Sequence, residues 1–297
     1  KGDKLNTMLK FGSDPEFAAG YEIDGVLNVL PPAVLREDYN LQFEQNGRHP
    51  IFKKYGDTFV HEDGCAFEMS TPPVYNWKDM WETLSDSKER FSAEVLSQFP
   101  KECNAKLYSL PAMKYQVDRW IGRGPEFQLS TVFGCDPDED VFKMKTRCRV
   151  LDASRHPWRY FGGHIHASGV PEIESAPLQA IKSMVLTAGL ASTAYTDVPS
   201  LEKERLFLYG KPGKFRIQHY PNGETGIEYR TCSTRWTESM ELAEKVFTWA
   251  EIGLKSLLQG GLINELESLV MDDAKKAILS VDQDKAKGIL AYIETRI

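Results

Sequence analysis

Three short segments each place two polar residues at positions i and i+2, with side chains that could bind a metal ion or a phosphate. They are Asp14 and Glu16 in FGSDPEF, His164 and His166 in FGGHIHAS, and Glu228 and Arg230 in GIEYRT. In a β-strand, side chains two residues apart point to the same face. If these segments are strands, each pair projects into one cavity.

The first pair consists of two carboxylates. Carboxylates on one face repel each other unless a positive charge lies between them, and hard divalent cations prefer oxygen ligands. A metal site therefore fits Asp14 and Glu16, but Asp-Pro also begins many solvent-exposed turns, and Pro15 argues against a central strand. Asp63 and Glu68 in HEDGCAFEMSTPP add two carboxylates, separated by a glycine that permits a turn or a bulge.

The second pair contains two of the six histidines of the chain and follows two glycines. A His-x-His segment on a strand is a frequent metal-binding arrangement, and the glycines allow other groups to approach closely. The alternative is a pair of partly buried structural histidines. The pattern favours function, and it leaves open whether His164 and His166 bind a metal or hydrogen-bond a substrate.

The third pair, Glu228 and Arg230, is also compatible with an ordinary cross-strand charge pair. Just upstream, the segment LYGKPGKFR carries Lys211, Lys214 and Arg216 around two glycines. A cationic turn beside carboxylates suits a nucleotide polyphosphate, with the cations on phosphate oxygens and magnesium on the carboxylates. A solvated basic hairpin is the alternative interpretation.

Several common catalytic motifs are absent from the sequence. There is no GxxxxGK[ST] segment, which excludes a P-loop enzyme, and there is no GxSxG elbow. Gly122 and Gly124 begin a GxGxxG-like segment, but Phe127 stands where the third glycine belongs.

The strands and helices that position these residues are predicted from the hydrophobic periodicity and from the positions of glycine and proline. Residues 7–17, 26–30, 58–70, 206–209, 215–219 and 226–231 read as strands between glycines and prolines. Helices are expected from Trp77 to Val95, after a Ser175 cap and after a Thr237 cap, with two short helices from Leu262 onward. Regular βαβ alternation is missing, so we expect an α+β fold with helices on the outer face of a curved antiparallel sheet.

Bulk composition limits the class of protein. The 297 residues, 41% hydrophobic and 27% charged, are typical of a soluble globular protein. This length suffices for one large domain or two ordinary ones, and we expect a single domain over 1–297. A net charge of −7 argues against a broad nucleic-acid-binding surface. Five scattered cysteines without a CxxC pair indicate a reduced compartment, and no apolar stretch approaches the ~20 residues of a membrane span. We therefore expect a cytoplasmic protein.

Taken in order, four segments resemble the phage-type carboxylate–amine ligases (type 2), within the superfamily of glutamine synthetase and glutamate–cysteine ligase. The segments are FGSDPEF, HEDG with the following Glu and TPP, FGGHIHAS, and RLFLYGKPGKFR followed by GIEYRTCSTRW. The resemblance covers about residues 11–236, and the helical segment 237–297 contributes nothing to it. Each motif is short, but GGHIH and EYR match nearly letter for letter and the order is right.

The resemblance implies a glutamine-synthetase-like sheet that holds ATP and Mg²⁺, with Mn²⁺ as an alternative, in the cytoplasm (of the host, if a phage encodes the protein). It assigns catalysis to Arg230, Glu68 and His164. It assigns nucleotide phosphates to Lys211, Arg216, Arg230 and His166. It assigns the metal to a set of carboxylates and one histidine: Asp14, Glu16, Asp63, Glu68, His164 and Glu228.

The implied chemistry is the ATP-dependent joining of a carboxylate to an amine through an acyl phosphate. One rival is a cupin-like hydrolase or oxygenase with an HxH metal site, for which the nearest downstream glutamate is Glu172. A second rival is a non-catalytic nucleotide-binding or virion-associated protein. The acid and amine, small molecules or peptides, are not identified by the sequence, and a homo-oligomer is compatible with it. No membrane or nucleic-acid partner is expected.

Overall fold

A break at Asp14 and Pro15 divides the first strand-like segment between two sheets. The computed structural model describes residues 9–24, 26–38, 44–46, 49–99, 104–131, 138–143, 156–220 and 222–297. The described strands are β1 (Lys10–Ser13), β2 (Glu16–Ile23), β3 (Val26–Leu30), β4 (Glu44–Asn46), β5 (His49–Tyr55), β6 (Thr58–Asp63), β7 (Ala66–Ser70), β8 (Lys106–Tyr108), β9 (Ala112–Lys114), β10 (Glu139–Asp140), β11 (Trp158–Tyr160), β12 (Ile165–Ser168), β13 (Lys214–His219) and β14 (Thr225–Tyr229).

The described α-helices concentrate in the second half of the chain. They are α1 (Pro32–Asp38), α2 (Trp77–Glu94), α3 (Asp118–Ile121), α4 (Pro171–Ser175), α5 (Pro177–Met184), α6 (Leu190–Tyr195), α7 (Pro199–Leu208), α8 (Met240–Ile252), α9 (Ile263–Ser280) and α10 (Gln283–Glu294). Wider helical turns at Val185–Gly189 and Gly253–Gln259 continue α5 and α8. Within the described residues, no helix combines the length and the apolar character that crossing a bilayer requires.

The predicted α+β class is confirmed, with open antiparallel sheets that do not close into a barrel. Among the described residues, the strands form three sheets. One is five-stranded in the order β1-β12-β14-β13-β10. Another runs β3-β2-β7-β6-β5-β4 with β8 also paired to β2, and β9 pairs with β11. The first two sheets meet at the break, where Glu16 N donates to Gly162 O (2.8 Å) and Met69 N donates to Pro15 O (3.0 Å).

Helices cover the five-stranded sheet and one another. Helices α4 and α5 contact β14, while α2 contacts β1 and β6. Asn76 caps α2 by accepting from Asp79 N, and the helix buries Trp77, Met80, Leu84 and Phe91. The C-terminal pair α9 and α10 packs against α6, burying Ile278 and Ile293. Because burial of apolar side chains is the main driving force, this helical layer holds β14 in place.

Three expectations about element boundaries are wrong. Residues 206–209 are not a strand, because Pro199 begins α7 and the helix runs to Leu208, with Leu206 buried and Phe207 72% exposed. Ser175 ends α4 instead of capping α5, and its hydroxyl donates to Pro171 O.

Thr237 does not cap the long helix α8. It lies in a 3₁₀ turn and donates to Thr234 O, while the hydroxyl of Ser239 accepts from Leu242 N at the start of α8. A serine two residues later satisfies the same orphan amides. The expected strands at 26–30 and 215–219, the helix from Trp77 and the two C-terminal helices are confirmed. The N-terminal part of the first expected strand, residues 7 and 8, lies outside the described residues.

Candidate metal centre

A row of polar side chains crosses the centre of the five-stranded sheet. His166 of β12 lies opposite Glu228 of β14, and Glu228 lies opposite Arg216 of β13. On its other side, His166 lies opposite Gly12 of β1. The expected i, i+2 arrangement is only partly strand-borne, because Asp14, His164 and Arg230 each lie just beyond the end of a strand.

Two glycines make room for His164. A Cβ on Gly162 would overlap the imidazole of His164, and a Cβ on Gly163 would overlap Ser233 O and the indole of Trp236. Gly163 N also donates to Cys232 O (3.0 Å). Gly162 thus lets the His164 ring lie against its own backbone, and Gly163 lets the segment pack closely on Ser233 and Trp236.

A first group of ligand atoms comes from Asp14, His164 and Glu228, and these atoms all lie within 4.8 Å of one another. His164 Nδ1 is 3.1 Å from Asp14 Oδ1 and 3.4 Å from Glu228 Oε1. His164 and Glu228 are buried and Asp14 is half-buried. Two carboxylates and one imidazole in this arrangement suit a divalent cation. We call these three residues the His164 cluster.

A second group consists of Glu16, Asp63 and Glu68, whose nearest oxygens also lie within 4.8 Å of one another. Glu16 lies directly opposite Glu68 across β2 and β7. The β6–β7 turn, with Gly64 at φ +59°, brings Asp63 to the same place. Gly162 N donates to Glu16 Oε2 (2.6 Å). Three carboxylates with no histidine among them suit a hard cation such as Mg²⁺. We call them the Glu16 cluster.

Tyr209 stands between the two clusters and was missed by sequence reasoning. Its hydroxyl donates to Glu16 Oε1 (3.4 Å), accepts from Arg230 Nη2 (3.0 Å) and lies 3.0 Å from His164 Nε2. A hydroxyl carries one proton, so a Tyr209 that donates to Glu16 accepts from His164 Nε2–H.

Cations line one side of the His164 cluster. Arg230 Nη1 donates to Glu228 and lies 3.3 Å from His164 Nδ1. Arg216 Nη1 is 3.7 Å from Glu228 Oε1. Lys211, in contrast, is exposed at the turn, and its carbonyl accepts from Thr231. The expected role of Lys211 as a phosphate contact therefore rests on sequence alone.

Asp138 is a further residue that sequence reasoning missed. It accepts from Lys214 Nζ (3.0 Å) and lies 3.9 Å from Arg230 Nε. Asp138 and Lys214 are both buried. No short motif surrounds Asp138, so only the fold shows that it reaches the cationic side of the centre.

The two clusters differ in their electrostatics. Burial raises the pKa of Glu16 to about 8, aided by Asp63, and burial among four other carboxylates raises the pKa of Glu68 well above its usual value. Burial also acts on Asp14, but the neighbouring His166 and His164 outweigh it and hold the pKa of Asp14 far below its usual value. Desolvation and like charges oppose ionisation in the Glu16 cluster, and a bound cation would relieve both.

The two histidines also differ. Burial and Arg230 lower the pKa of His164. Burial acts on His166 in the same direction, but Asp14 outweighs it and raises the pKa, with Asp14 Oδ2 3.2 Å from His166 Nε2. The surroundings thus disfavour the protonated form of His164 and favour that of His166 beside Asp14.

A cavity of about 470 Å³ opens beside the His164 cluster, with Asp14 and His166 at its inner end. Gly12 leaves part of the lining without a side chain, and Tyr220 contributes an aromatic wall. At the far end, Lys10 Nζ donates to Glu224 Oε2 (3.0 Å). The volume is that of a small-molecule site.

Comparisons with known proteins add little. No family model matches the sequence, and no curated protein matches it. Among solved structures, a bifunctional glutathione synthetase from Pasteurella multocida is similar at 12% identity and a TM-score of 0.37, over 98% of this chain and 50% of that one. This chain thus spans about half the length of that protein.

Proposed function

We propose that this chain is an ATP- and Mg²⁺-dependent ligase that joins a carboxylate to an amine, related to the phage-type carboxylate–amine ligases. One observation carries the proposal. Residues from four sequence-distant motifs converge into two adjacent ligand clusters with arginines on one side. A centre with both excess carboxylates and fixed cations is suited to a metal–polyphosphate complex.

The ligand sets suit two divalent cations, one held by the His164 cluster and one by the Glu16 cluster. Magnesium would neutralise and orient the triphosphate. The oxygen-rich donors favour Mg²⁺ or Mn²⁺ over a softer transition metal. The expected metal ligands thus fall into two groups that share one centre, with His166 beside Asp14 as a phosphate contact.

The cavity beside the His164 cluster is the proposed nucleotide subsite. Asp14 and His166 in its lining would bring a phosphate chain to the cluster, and Tyr220 would offer an aromatic surface to a base. Arg230 and Arg216 lie on the same side as Glu228 and would contact phosphate oxygens. Guanidinium groups match phosphate geometry through paired donors.

In the proposed reaction, a substrate carboxylate oxygen forms a bond to the γ-phosphorus while the bond to the β–γ bridging oxygen breaks, so ADP leaves. The amine nitrogen then bonds to the acyl carbon, inorganic phosphate leaves, and the nitrogen gives up a proton. Arg230 stabilises the charge of the transferring phosphoryl group. Tyr209 fixes the positions of Arg230 and His164 through the contacts of its hydroxyl with both side chains.

The cupin-like rival fits the structure poorly. The described sheets are open and carry packed α-helices, whereas cupins are all-β double-sheet jelly rolls. Glu172, the nearest glutamate downstream of the HxH segment, lies in α4 and accepts from Gln259 Nε2 (3.0 Å). The non-catalytic alternative shares the nucleotide site and differs in turnover alone. We propose small-molecule or peptide substrates and a cytoplasmic setting.

Release of ADP tests the proposal. ATP and Mg²⁺ are incubated with pooled amino acids, peptides and simple amines, and ADP and phosphate are measured for the wild type, Arg230→Gln and an exposed control, Arg90→Gln. We expect acid- and amine-dependent ADP release that falls at least about 100-fold in Arg230→Gln and persists in the control. Nucleotide binding without ADP release for any pool would favour the non-catalytic alternative.

A further inference from the structure

The last turn of helix α7 carries a fully buried arginine, Arg205, behind the candidate metal centre. Its guanidinium donates to three successive carbonyls: Thr231 O (2.7 Å), Cys232 O (3.0 Å) and Arg230 O (3.5 Å). These carbonyls follow the end of β14, where the strand ladder stops. Buried carbonyls require partners, and one planar group supplies three of them.

The same guanidinium contacts the residue that bridges the clusters. It lies over the ring of Tyr209, 4.8 Å from the centroid. Gly210 follows at φ +68°, and a Cβ there would overlap the Arg205 guanidinium. The tight turn after α7 thus closes around Arg205, and Tyr209 leaves that turn toward the centre.

The segment that Arg205 holds also supports His164. Cys232 O accepts both from Arg205 and from Gly163 N, the residue before His164. Arg230, at the start of the segment, donates to Tyr209 and Glu228. Arg205 therefore contacts the Tyr209 ring and the backbone of Arg230 directly. It is linked to the residue before His164 through the carbonyl of Cys232.

We propose that Arg205 is a positioning residue that fixes Tyr209 and Arg230 between the His164 and Glu16 clusters. Its consequence for cation binding rests on the proposed function, whereas the positioning itself does not. The buried carboxylate of Glu202, three residues earlier on α7, interacts electrostatically with Arg205, and Ser233 donates to it (2.5 Å). The role needs arginine, because its guanidinium is planar and spreads its donors over two nitrogens while one face lies on the Tyr209 ring, whereas the ammonium of lysine is a compact point charge.

Two variants perturb this arrangement from opposite sides. Arg205→Lys keeps a positive charge near Glu202 and removes the planar guanidinium group. Gly210→Ala keeps Arg205 and forces its guanidinium to move. Ile293→Ala in α10 is the control, because it leaves a cavity in the helical layer and destabilises the protein away from the centre.

The test combines metal-free crystal structures with Mn²⁺ titration of each folded variant. In Arg205→Lys and Gly210→Ala, we expect Tyr209 Oη to leave hydrogen-bond distance of His164 Nε2 and Arg230 Nη2, and Mn²⁺ affinity to fall at least about tenfold. In Ile293→Ala, the melting temperature falls but both readings stay at wild-type values.

Unchanged positions of Tyr209 and Arg230 in Arg205→Lys would overturn the positioning role. Equal losses of Mn²⁺ affinity in Ile293→Ala would also overturn it, since general destabilisation would then account for the effect. If the wild type binds no Mn²⁺, the proposed function fails, and the metal-free structures still decide the role of Arg205.

Discussion

Glu16 and Glu68 lie directly opposite each other across the antiparallel pair β2–β7. Like charges at opposite positions destabilise a sheet, and burial adds to the cost. The chain nevertheless adds Asp63 to the same place. Such a concentration of carboxylates is costly to the empty fold and is offset when a cation binds.

The first prediction concerns the pH dependence of the metal-free protein. The pKa of Glu16 is raised to about 8 in the folded state, so its stabilising contribution is complete below about pH 4.5 and is lost as pH rises through 8. With a chelator present, the unfolding free energy of the wild type should fall by at least about 1 kcal/mol over this window relative to Glu16→Gln.

Excess Mg²⁺ should reverse that loss in the wild type but not in Glu16→Gln, because a ligand that binds only the folded state stabilises it. Denaturant unfolding at several pH values measures both effects. Glu82→Gln, an exposed change on α2, serves as the control and should follow the wild type. Parallel curves for the wild type and Glu16→Gln in chelator would refute this account of the Glu16 cluster.

The second prediction concerns the hydroxyl of Tyr209. Tyr209→Phe removes three polar contacts at the centre while the ring still packs on Arg205. We expect turnover to fall by about 10- to 100-fold, equivalent to about 1–3 kcal/mol, with little change in melting temperature. Steady-state kinetics compare it with Tyr292→Phe on α10, which should keep wild-type turnover. Full activity in Tyr209→Phe would exclude a bridging role.

The third prediction uses two glycines as a matched pair. Gly162→Ala would overlap His164, whereas a Cβ on Gly122 meets nothing within 4 Å. We expect Gly162→Ala to displace His164 and weaken Mn²⁺ binding at least about tenfold, and Gly122→Ala to be neutral. Mn²⁺ titration with circular dichroism separates loss of the site from loss of the fold. Equal Mn²⁺ affinities in the two variants would show that His164 is not a ligand.

The fourth prediction concerns Lys88, a largely buried lysine outside the centre. Burial lowers its pKa to about 8, and its ammonium donates to Ser109 Oγ (3.3 Å) and Thr237 O (3.1 Å). Because the folded pKa lies below the unfolded value of 10.5, the folded state sheds the proton first, and stability should rise with pH between about 8 and 10.5.

Lys88→Met removes this titration, so the wild type should gain up to about 3 kcal/mol relative to the variant across that window. Urea unfolding of both proteins at pH values from 7 to about 10 provides the comparison. A difference in unfolding free energy that does not change with pH would contradict the assigned pKa.

Much of the centre could be predicted from the sequence because its members fall in short, chemically distinctive segments. Asp14, Glu16, His164, Glu228 and Arg230 stand at i, i+2 spacing, and the structure brings them together. The α+β class followed from hairpin-like segments alternating with long helices. These signals are local, so a reading of neighbouring residues finds them.

Tyr209 and Asp138 were beyond such a reading for a physical reason. The run LFLY has the apolar character of a strand, but Pro199 and the burial of Leu206 make residues 199–208 a helix. Tyr209 follows that helix and reaches the centre from a turn in which Arg205 lies on its ring and Gly210 leaves room for the guanidinium. Tertiary contacts of this kind override local pattern and leave no motif.

The central claim is a nucleotide site that depends on a divalent cation held by Asp14. Calorimetric titration of a non-hydrolysable ATP analogue, with and without Mg²⁺, tests it on the wild type, Asp14→Asn and an exposed control, Asp273→Asn. We predict Mg²⁺-dependent binding in the wild type and the control, and at least about a tenfold loss in Asp14→Asn. Three results would contradict the claim: an affinity for the analogue that does not depend on Mg²⁺, an unchanged affinity in Asp14→Asn, or no binding by the wild type.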